Sequence, residues 1–189
     1  MTVPVDIDRR FRDAADREGL VDVAYDLTDS PVGELLVAAT DQGLCRIAYR
    51  PDDALGELVD DFGARILRVP GRLDLVRREL DEYFEGRRRE FDLQLDLSPV
   101  SGFNRDALRE LSLVPYGQVT TYGALAAKVG HPKAARAVGG AMNRNPIPIV
   151  LPCHRVVGAN GKLVGYAGGL DRKELLLKLE GAMLDTLFP

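Results

Sequence analysis

The segment from Asn145 to Arg155 most constrains what this chain can fold into, because it contains three prolines within seven residues. Proline fixes φ and removes a backbone donor, and it biases the preceding residue away from helix. We therefore predict a stiff, largely apolar approach to a turn rather than a helix. At that turn stand Cys153 and His154, a thiol directly followed by an imidazole.

Two interpretations of Cys153 follow from the residues alone. A lone buried cysteine usually behaves as a small hydrophobic residue, and a histidine beside it is often a satisfied core residue. Alternatively, the thiol is catalytic. A free thiol, with a pKa of about 8.5, is only a few per cent ionised at neutral pH, and a neighbouring imidazole and basic groups raise that fraction. His154 and Arg155 stand in those positions.

The remaining cysteine and histidine argue against a disulfide framework and against a metal site. The chain has two cysteines and two histidines, and Cys45 and His131 lie far from the pair at 153–154. This spacing fits none of the usual zinc-finger patterns. We expect no metal and no cofactor, and we interpret Cys45, in the alternating apolar run 44–49, as core or sheet packing.

Charge divides the chain into two halves. The net charge is -4, but residues 1–100 carry -9 and residues 101–189 carry +5. No acidic residue occurs between Glu110 and Asp171. The basic residues in that interval are Lys128, Lys133, Arg136, Arg144, Arg155 and Lys162. Such a surface is either simply a solvated basic face or a face that binds a polyanion, and its position around the thiol favours the polyanion.

The hydrophobic pattern changes near residue 97 and predicts two domains. We predict an N-terminal extension at 1–20, an α/β domain with a small sheet at 21–97, and a mainly α domain at 98–189. Strands are predicted at 21–27, 34–40, 44–49 and 90–95, with helices at 51–62 and 73–84. The second half is predicted to contain helices at 103–113, 120–130 and 133–143, a hairpin at 155–166, and a last helix capped by Asp171.

Two of these helices match a helix-turn-helix. They are short, a tight glycine-containing turn joins them, and the second carries Lys133 and Arg136 near its start. The chain has no apolar run of about eighteen residues, and residues 1–19 are charged without an apolar stretch. We therefore expect a cytoplasmic protein without a membrane partner.

These motifs together resemble the methylated-DNA–protein-cysteine methyltransferases, the family that repairs guanine alkylated at O6 by taking the alkyl group onto a cysteine. The resemblance covers about residues 101–181. The matching motifs, in order, are Pro115-Tyr116-Gly117, Thr121-Tyr122-Gly123, Ala135-Arg136-Ala137-Val138-Gly139, Asn145-Pro146, Pro152-Cys153-His154-Arg155-Val156, Gly165-Tyr166, Gly168-Gly169 and Glu180. The resemblance implies a ribonuclease-H-like N-terminal domain and, as partner, double-stranded DNA carrying O6-alkylguanine. It also implies one turnover per chain, and a monomer is the default.

The resemblance implies catalytic roles for five residues. Cys153 would be the acceptor nucleophile, and His154 would act through a water as its base. Glu180 would stabilise the charged histidine as the third member of the relay. Asn145 would hold the turn that carries the cysteine. Tyr122 would stabilise the departing guanine at its N3 edge.

The same resemblance implies a DNA-binding surface and a base pocket. Arg136 would fill the space left by a base that rotates out of the helix. The other expected DNA-binding residues are Lys133, Ala135, Ala137, Gly139, Arg155 and Thr121. The expected base pocket comprises Val156, Tyr166, Ala167, Gly168 and Pro148. Ala167 stands where some family members have serine, and the chain has no tryptophan.

Two other functions are compatible with part of this pattern. An alkyltransferase-like protein recognises lesions without repairing them, but such proteins lack the acceptor cysteine that this chain has in Cys153. A cysteine hydrolase would need only the Cys-His-Glu set, and it leaves the acid-free basic interval and the helix-turn-helix unexplained.

Overall fold

The computed structural model describes residues 5–182. The described residues form two compact units: one contains residues 5–81 and 92–99, and the other contains residues 82–91 and 100–182. The chain thus passes between the units more than once. The domain limits predicted at residues 20, 97 and 98 stay a prediction.

The described residues contain seven α-helices and six β-strands. The helices are α1 (Val5–Arg17), α2 (Pro51–Phe62), α3 (Asp74–Phe84), α4 (Gly102–Ser112), α5 (Tyr122–Lys128), α6 (Ala135–Asn143) and α7 (Leu170–Leu179). The strands are β1 (Val23–Thr28), β2 (Leu35–Thr40), β3 (Gly43–Ala48), β4 (Ile66–Arg68), β5 (Thr120–Thr121) and β6 (Val156–Val157). Two 3₁₀ turns occur at Pro70–Leu73 and Cys153–Arg155.

A four-stranded sheet organises the first unit. Its strand order is β3-β2-β1-β4. The β1–β2 and β2–β3 pairs are antiparallel, which confirms the predicted meander, and β4 runs parallel to β1. The sequence did not predict β4, because three residues are too few for a recognisable alternation.

Both faces of this sheet are covered. Ala54 and Leu58 of α2 pack in one cluster with Val23, whereas Ala15 of α1 packs with Ala24. Because Val23 and Ala24 are successive residues of β1, their side chains point to opposite faces. β2 has five buried residues in succession for the same reason, a pattern typical of a strand buried on both sides.

Cys45 lies in this core, as predicted. Its side chain is buried, and its Sγ donates to Ala38 O at 3.3 Å. Burial raises the pKa of Cys45 to about 12. This thiol is therefore a packing residue and is protonated at physiological pH.

The strand predicted at 90–95 does not form. Leu44 N donates to Gln94 O at 2.9 Å and Asp96 N donates to Leu44 O at 2.9 Å, so this segment contributes a single bridge beside β3. Gly43 permits the close approach: its φ is +138°, and a Cβ atom there would lie 2.3 Å from Gln94 O.

The second unit contains the predicted helix-turn-helix, formed by α5 and α6. Thr121 caps α5 by accepting a hydrogen bond from Ala124 N at 3.1 Å, which confirms the predicted cap. The helix ends before Gly130, and His131 N donates to Ala126 O at 2.9 Å in the turn. Lys133 lies in that turn, because α6 starts at Ala135.

Two predictions for the end of the chain are wrong. The residues after Val157 turn as expected, with Gly158 N donating to Lys162 O at 2.9 Å, but 162–166 form no second hairpin strand. Instead β6 pairs in parallel with β5. Asp171 does not cap α7 either: the cap residue is Gly169, and Asp171 lies in the first turn, where its charge favours the helix dipole.

Within residues 5–182, no helix has both the length and the apolar character needed to cross a membrane. The same residues bring together no group of three or more metal-ligating side chains.

Candidate active site

The proline-rich segment ends in a tight turn that fixes Cys153. Cys153 N donates to Leu151 O at 2.8 Å, and Arg155 N donates to Pro152 O at 2.9 Å. The Arg155 bond and the bond from Val156 N to Cys153 O form the 3₁₀ turn at Cys153–Arg155. Cys153 is 4% exposed, so its thiol is held on rigid backbone with only a small opening to solvent.

Asn145 braces the segment that leads to this turn. Its Nδ2 donates to Leu151 O at 2.8 Å, and its Oδ1 accepts from Ile147 N at 3.0 Å. Between these contacts lies Ile149, a buried β-branched residue with φ +76°. Such a conformation costs of the order of 1–3 kcal/mol and persists only where the surrounding structure enforces it. The two Asn145 hydrogen bonds supply part of that enforcement.

The thiol environment contains opposing effects. Burial raises the pKa of Cys153 to about 11, while hydrogen bonds to Asn145 and Tyr166 and the charge of Lys173 act in the lowering direction. Lys173 is thus a charged side chain that favours the thiolate. The expectation that His154 and Arg155 activate the thiol stays a prediction.

His154 and Glu180 form a buried pair. His154 Nε2 donates to Glu180 Oε1 across 2.8 Å. Burial lowers the pKa of His154, although Glu180 acts in the raising direction. The imidazole is consequently neutral at pH 7, with its proton on Nε2. Its Nδ1 is buried and has no hydrogen-bond partner among the described residues, and this nitrogen is the atom that is free to accept a proton.

Glu180 is the centre of a wider hydrogen-bond network. Arg155 binds it with two bonds, from Nε to Oε2 and from Nη2 to Oε1, both at 2.9 Å. Tyr83 Oη donates to Oε1 at 2.7 Å, and Gly117 N donates to Oε2 at 3.3 Å. Gly117 has φ +73°, and a Cβ atom there would lie 2.9 Å from Glu180 O. The Pro115-Tyr116-Gly117 motif thus needs its glycine because the turn lies close to the backbone carbonyl of Glu180.

Arg155 is not a surface residue, which corrects its predicted contact with DNA. It is 6% exposed, and its Nη1 donates to Val114 O at 2.5 Å in addition to the two bonds to Glu180. All of its polar contacts lie inside the unit. Arg155 therefore fixes the carboxylate that His154 uses.

Lys173 is a functional candidate that the sequence analysis missed. It is 0% exposed, and its Nζ donates to Val156 O at 2.6 Å, Val164 O at 3.0 Å and Gly165 O at 3.4 Å. Burial lowers the pKa of Lys173 to about 8, with Cys153 acting in the raising direction. One sequence signal was present: Lys173 lies three and four residues before the buried pair 176–177, on the apolar face of α7.

A cavity of about 400 Å³ opens beside the thiol. The residues that line it are Tyr122, Ala135, Arg136, Gly139, Met142, Asn143, Cys153, Val164, Gly165, Tyr166 and Ala167. Of the five predicted pocket residues, Tyr166 and Ala167 line it. Val156, Pro148 and Gly168 are buried and do not, so this geometry does not support their predicted base contacts. Met142, Asn143, Val164 and Gly165 were not predicted.

Tyr122 faces this cavity with its hydroxyl held by the opposite wall. Its Oη lies 3.2 Å from Val164 O and 3.4 Å from Gly165 O. These are also the carbonyls that Lys173 binds. Side chains, rather than a neighbouring strand, thus bind these two carbonyls.

Of the six predicted DNA-binding residues other than Arg155, three line the cavity and three do not. Arg136 is exposed and lines the cavity rim, and Lys133 and Ala137 are exposed on the same turn and helix. Ala135 and Gly139 are partly buried and also line the cavity. Thr121 is partly exposed, and its hydroxyl is used as the cap of α5.

Two family models match the chain. The model described as 6-O-methylguanine DNA methyltransferase, ribonuclease-like domain, matches residues 23–97. The model described as 6-O-methylguanine DNA methyltransferase, DNA binding domain, matches residues 102–182.

Several known proteins are similar over nearly their whole length. A methylated-DNA–protein-cysteine methyltransferase of Methanosarcina acetivorans is 42% identical, with 84% of this chain and 98% of that protein covered. A protein of the same name from Mycolicibacterium paratuberculosis is also 42% identical, over 84% of this chain and 92% of the relative. The crystal structure of Mycobacterium tuberculosis OGT in complex with DNA is 37% identical, with a TM-score of 0.74, and covers 88% of this chain and 99% of that one.

Proposed function

The chain belongs to the methylated-DNA–protein-cysteine methyltransferase family, and from this premise we propose that it repairs O6-alkylguanine in duplex DNA by moving the alkyl group to Cys153. The observation that carries this proposal is the position of the thiol. Cys153 lines a cavity, and the next residue, His154, forms a buried hydrogen bond with Glu180. A packing cysteine such as Cys45 has neither feature.

The basic surface beside the cavity supports DNA as the partner. The stretch from residue 111 to 170 has no acidic residue, and its exposed cations include Lys133 and Arg136 on the helix-turn-helix. Lysine and arginine neutralise phosphates without reading sequence, which suits a protein whose lesion occurs in any sequence context.

The cavity requires the modified base to leave the helix. A stacked base hides its O6-alkyl carbon from a thiol that is 4% exposed, so the nucleotide has to rotate into the cavity. Arg136 lies at the rim and is long enough to occupy the space that the base leaves. The small residues Ala135 and Gly139 allow the start of α6 to approach DNA closely.

The alkyl transfer is then a single nucleophilic displacement. The Cys153 proton passes through a water molecule to His154 Nδ1, and Glu180 stabilises the resulting imidazolium. The thiolate attacks the alkyl carbon, a carbon–sulfur bond forms, and the bond to guanine O6 breaks with its electron pair on the base. Tyr122 turns its hydroxyl from Val164 O and Gly165 O to the N3 edge of guanine and stabilises this charge.

The product explains a single turnover. S-alkylcysteine is a thioether without a carbonyl that water can attack, unlike the thioester of a cysteine hydrolase. Reversal would need a second strong nucleophile, and Cys45 belongs to the core of the other unit. Each chain therefore acts once. We propose that the protein acts as a monomer.

A titration with duplex DNA that carries labelled O6-methylguanine tests this function. We expect a plateau at about one methyl group per chain, located on Cys153 by peptide mass. Cys153→Ser should abolish transfer and keep DNA binding, and the matched change Cys45→Ser should keep the plateau. Binding without transfer by the unsubstituted protein would indicate a lesion-binding protein, and repeated turnover would indicate a hydrolase; either result contradicts the proposal.

A further inference from the structure

We propose that Tyr83 is a positioning residue of the transfer reaction, which sets the basicity of His154 through the carboxylate of Glu180. This inference rests on the proposed function and extends it to a residue that no motif of the second half contains. Tyr83 belongs to the segment 82–91, which lies in the same compact unit as Cys153 and Glu180, although the ribonuclease-like family model covers it.

The contact of Tyr83 with Glu180 competes directly with that of His154. Tyr83 Oη donates to Glu180 Oε1 at 2.7 Å, and His154 Nε2 donates to the same oxygen at 2.8 Å. Arg155 Nη2 is the third donor to Oε1, at 2.9 Å. Each donor withdraws negative charge from the oxygen, so the phenol reduces the charge that is available to an imidazolium.

The ring of Tyr83 is held so that its hydroxyl keeps this direction. Its centroid lies 5.3 Å from those of Phe84 and Phe91 and 6.1 Å from that of Tyr116. The residue is completely buried. Burial and the Glu180 charge both raise the pKa of Tyr83, so the phenol stays protonated and acts only as a donor towards the carboxylate.

The charged groups around His154 determine how the Tyr83–Glu180 hydrogen bond changes the pKa of the imidazole. Burial, Arg155 and Lys173 lower the pKa of His154, and Glu180 raises it. On the side of Tyr83, the neighbouring titratable groups are Glu180, Arg155 and Tyr116, and Arg89 lies over the Tyr116 ring. Tyr83 weakens the raising effect of Glu180 and thereby helps to keep the imidazole neutral, which is the form that accepts the thiol proton.

The test is Tyr83→Phe in the full chain, with Tyr116→Phe as the matched control. Both changes remove one phenol hydroxyl from the same aromatic cluster, but the Tyr116 hydroxyl donates to Leu179 O at 3.1 Å rather than to the carboxylate. The imidazole signals of His154 are followed by NMR against pH. The chain has two histidines, and the exposed His131 serves as the internal reference.

We expect Tyr83→Phe to raise the pKa of His154 by about 1 and to move the acidic limb of the single-turnover rate in the same direction. Tyr116→Phe should move neither. An unchanged His154 pKa in Tyr83→Phe, or an equal shift in both variants, overturns the inference. That failure differs from a failure of the proposed function, in which the unsubstituted protein transfers no methyl group.

A second measurement does not depend on whether Tyr83→Phe folds. Site-specific 3-fluorotyrosine in place of Tyr83 keeps the hydroxyl and makes it a stronger donor. We expect this substitution to lower the pKa of His154, opposite to the phenylalanine variant. A shift in the same direction as that of phenylalanine, or no shift, contradicts the role of the phenol.

Discussion

Replacing Glu180 with glutamine removes the carboxylate charge and keeps the shape of the side chain. Burial opposes ionisation of Glu180, but hydrogen bonds from His154 and Arg155 and their charges outweigh it and lower the pKa from 4.5 to about 2. At about 1.4 kcal/mol for each factor of ten in acidity, this difference corresponds to about 3 kcal/mol of unfolding free energy. Glutamine resembles the protonated form and loses that contribution.

The pH dependence of this loss follows from the sign of the shift. The folded pKa lies below the unfolded value, so the stabilisation is fully present above about pH 4.5 and disappears as the pH falls towards 2. We expect Glu180→Gln to be less stable than the unsubstituted protein by about 3 kcal/mol at pH 7. This difference in unfolding free energy should fall to less than half of that value at about pH 3.

Urea unfolding at pH 7, 5 and 3 measures this gap. The matched control is Glu174→Gln on α7, whose carboxylate is more exposed and pairs with Lys178 at 2.5 Å. An exposed pair of this kind contributes less than about 1 kcal/mol. A gap for Glu180→Gln no larger than that of the control, or the same gap at pH 3 and pH 7, would refute the reasoning.

The same variant has a kinetic consequence. Without the carboxylate the imidazolium loses its partner, so the methyl-transfer rate should fall by roughly 10²-fold and the apparent pKa of Cys153 should rise. A single-turnover pH–rate profile measures both. An unchanged profile would remove Glu180 from the relay even if the stability prediction holds.

Other predictions concern the charges around the site. Lys173→Met should lower the transfer rate at pH 7.5 by roughly tenfold and raise the apparent pKa of Cys153, because the positive charge of Lys173 no longer favours the thiolate. Lys178→Met on the same helix should do neither. Arg136→Ala should impair repair in duplex DNA far more than dealkylation of the free modified base, and equal losses on both substrates would exclude the space-filling role. DNA affinity should fall steeply with salt in a filter-binding series, and a flat series would contradict the basic-surface proposal.

The parts of the site that depend on local signals were predictable from the sequence. Three prolines before Cys153 determine a rigid turn whatever lies around it, and Thr121 caps α5 through a bond to a residue three positions away. The helix-turn-helix follows from its apolar pattern and its glycine. The assignment of His154 and Glu180 to one relay came from family resemblance, since 26 positions separate them.

The parts that depend on distant contacts were not predictable in this way. Arg155 lies in the basic interval from which DNA contacts are predicted. Its buried partner, the carboxylate of Glu180, lies 25 positions away. Tyr83 reaches Glu180 across 97 positions, and nothing in its surroundings distinguishes it from a core tyrosine. Lys173 has an apolar-face position that the sequence shows, but its three carbonyl partners become visible only when residues 156–165 are placed.

The path of the chain between its two units limits how relatives can exchange segments. The chain enters the second unit at residue 82, leaves it at 92 and enters it again at 100. A recombinant joined near residue 98 takes Tyr83 from one parent and Glu180 from the other. A junction after residue 81 keeps that pair together but gives residues 92–99 of the first unit to the wrong parent. No single crossover gives a hybrid in which each unit comes wholly from one parent. Such a hybrid of diverged parents requires that residues 82–91 are exchanged as a separate segment.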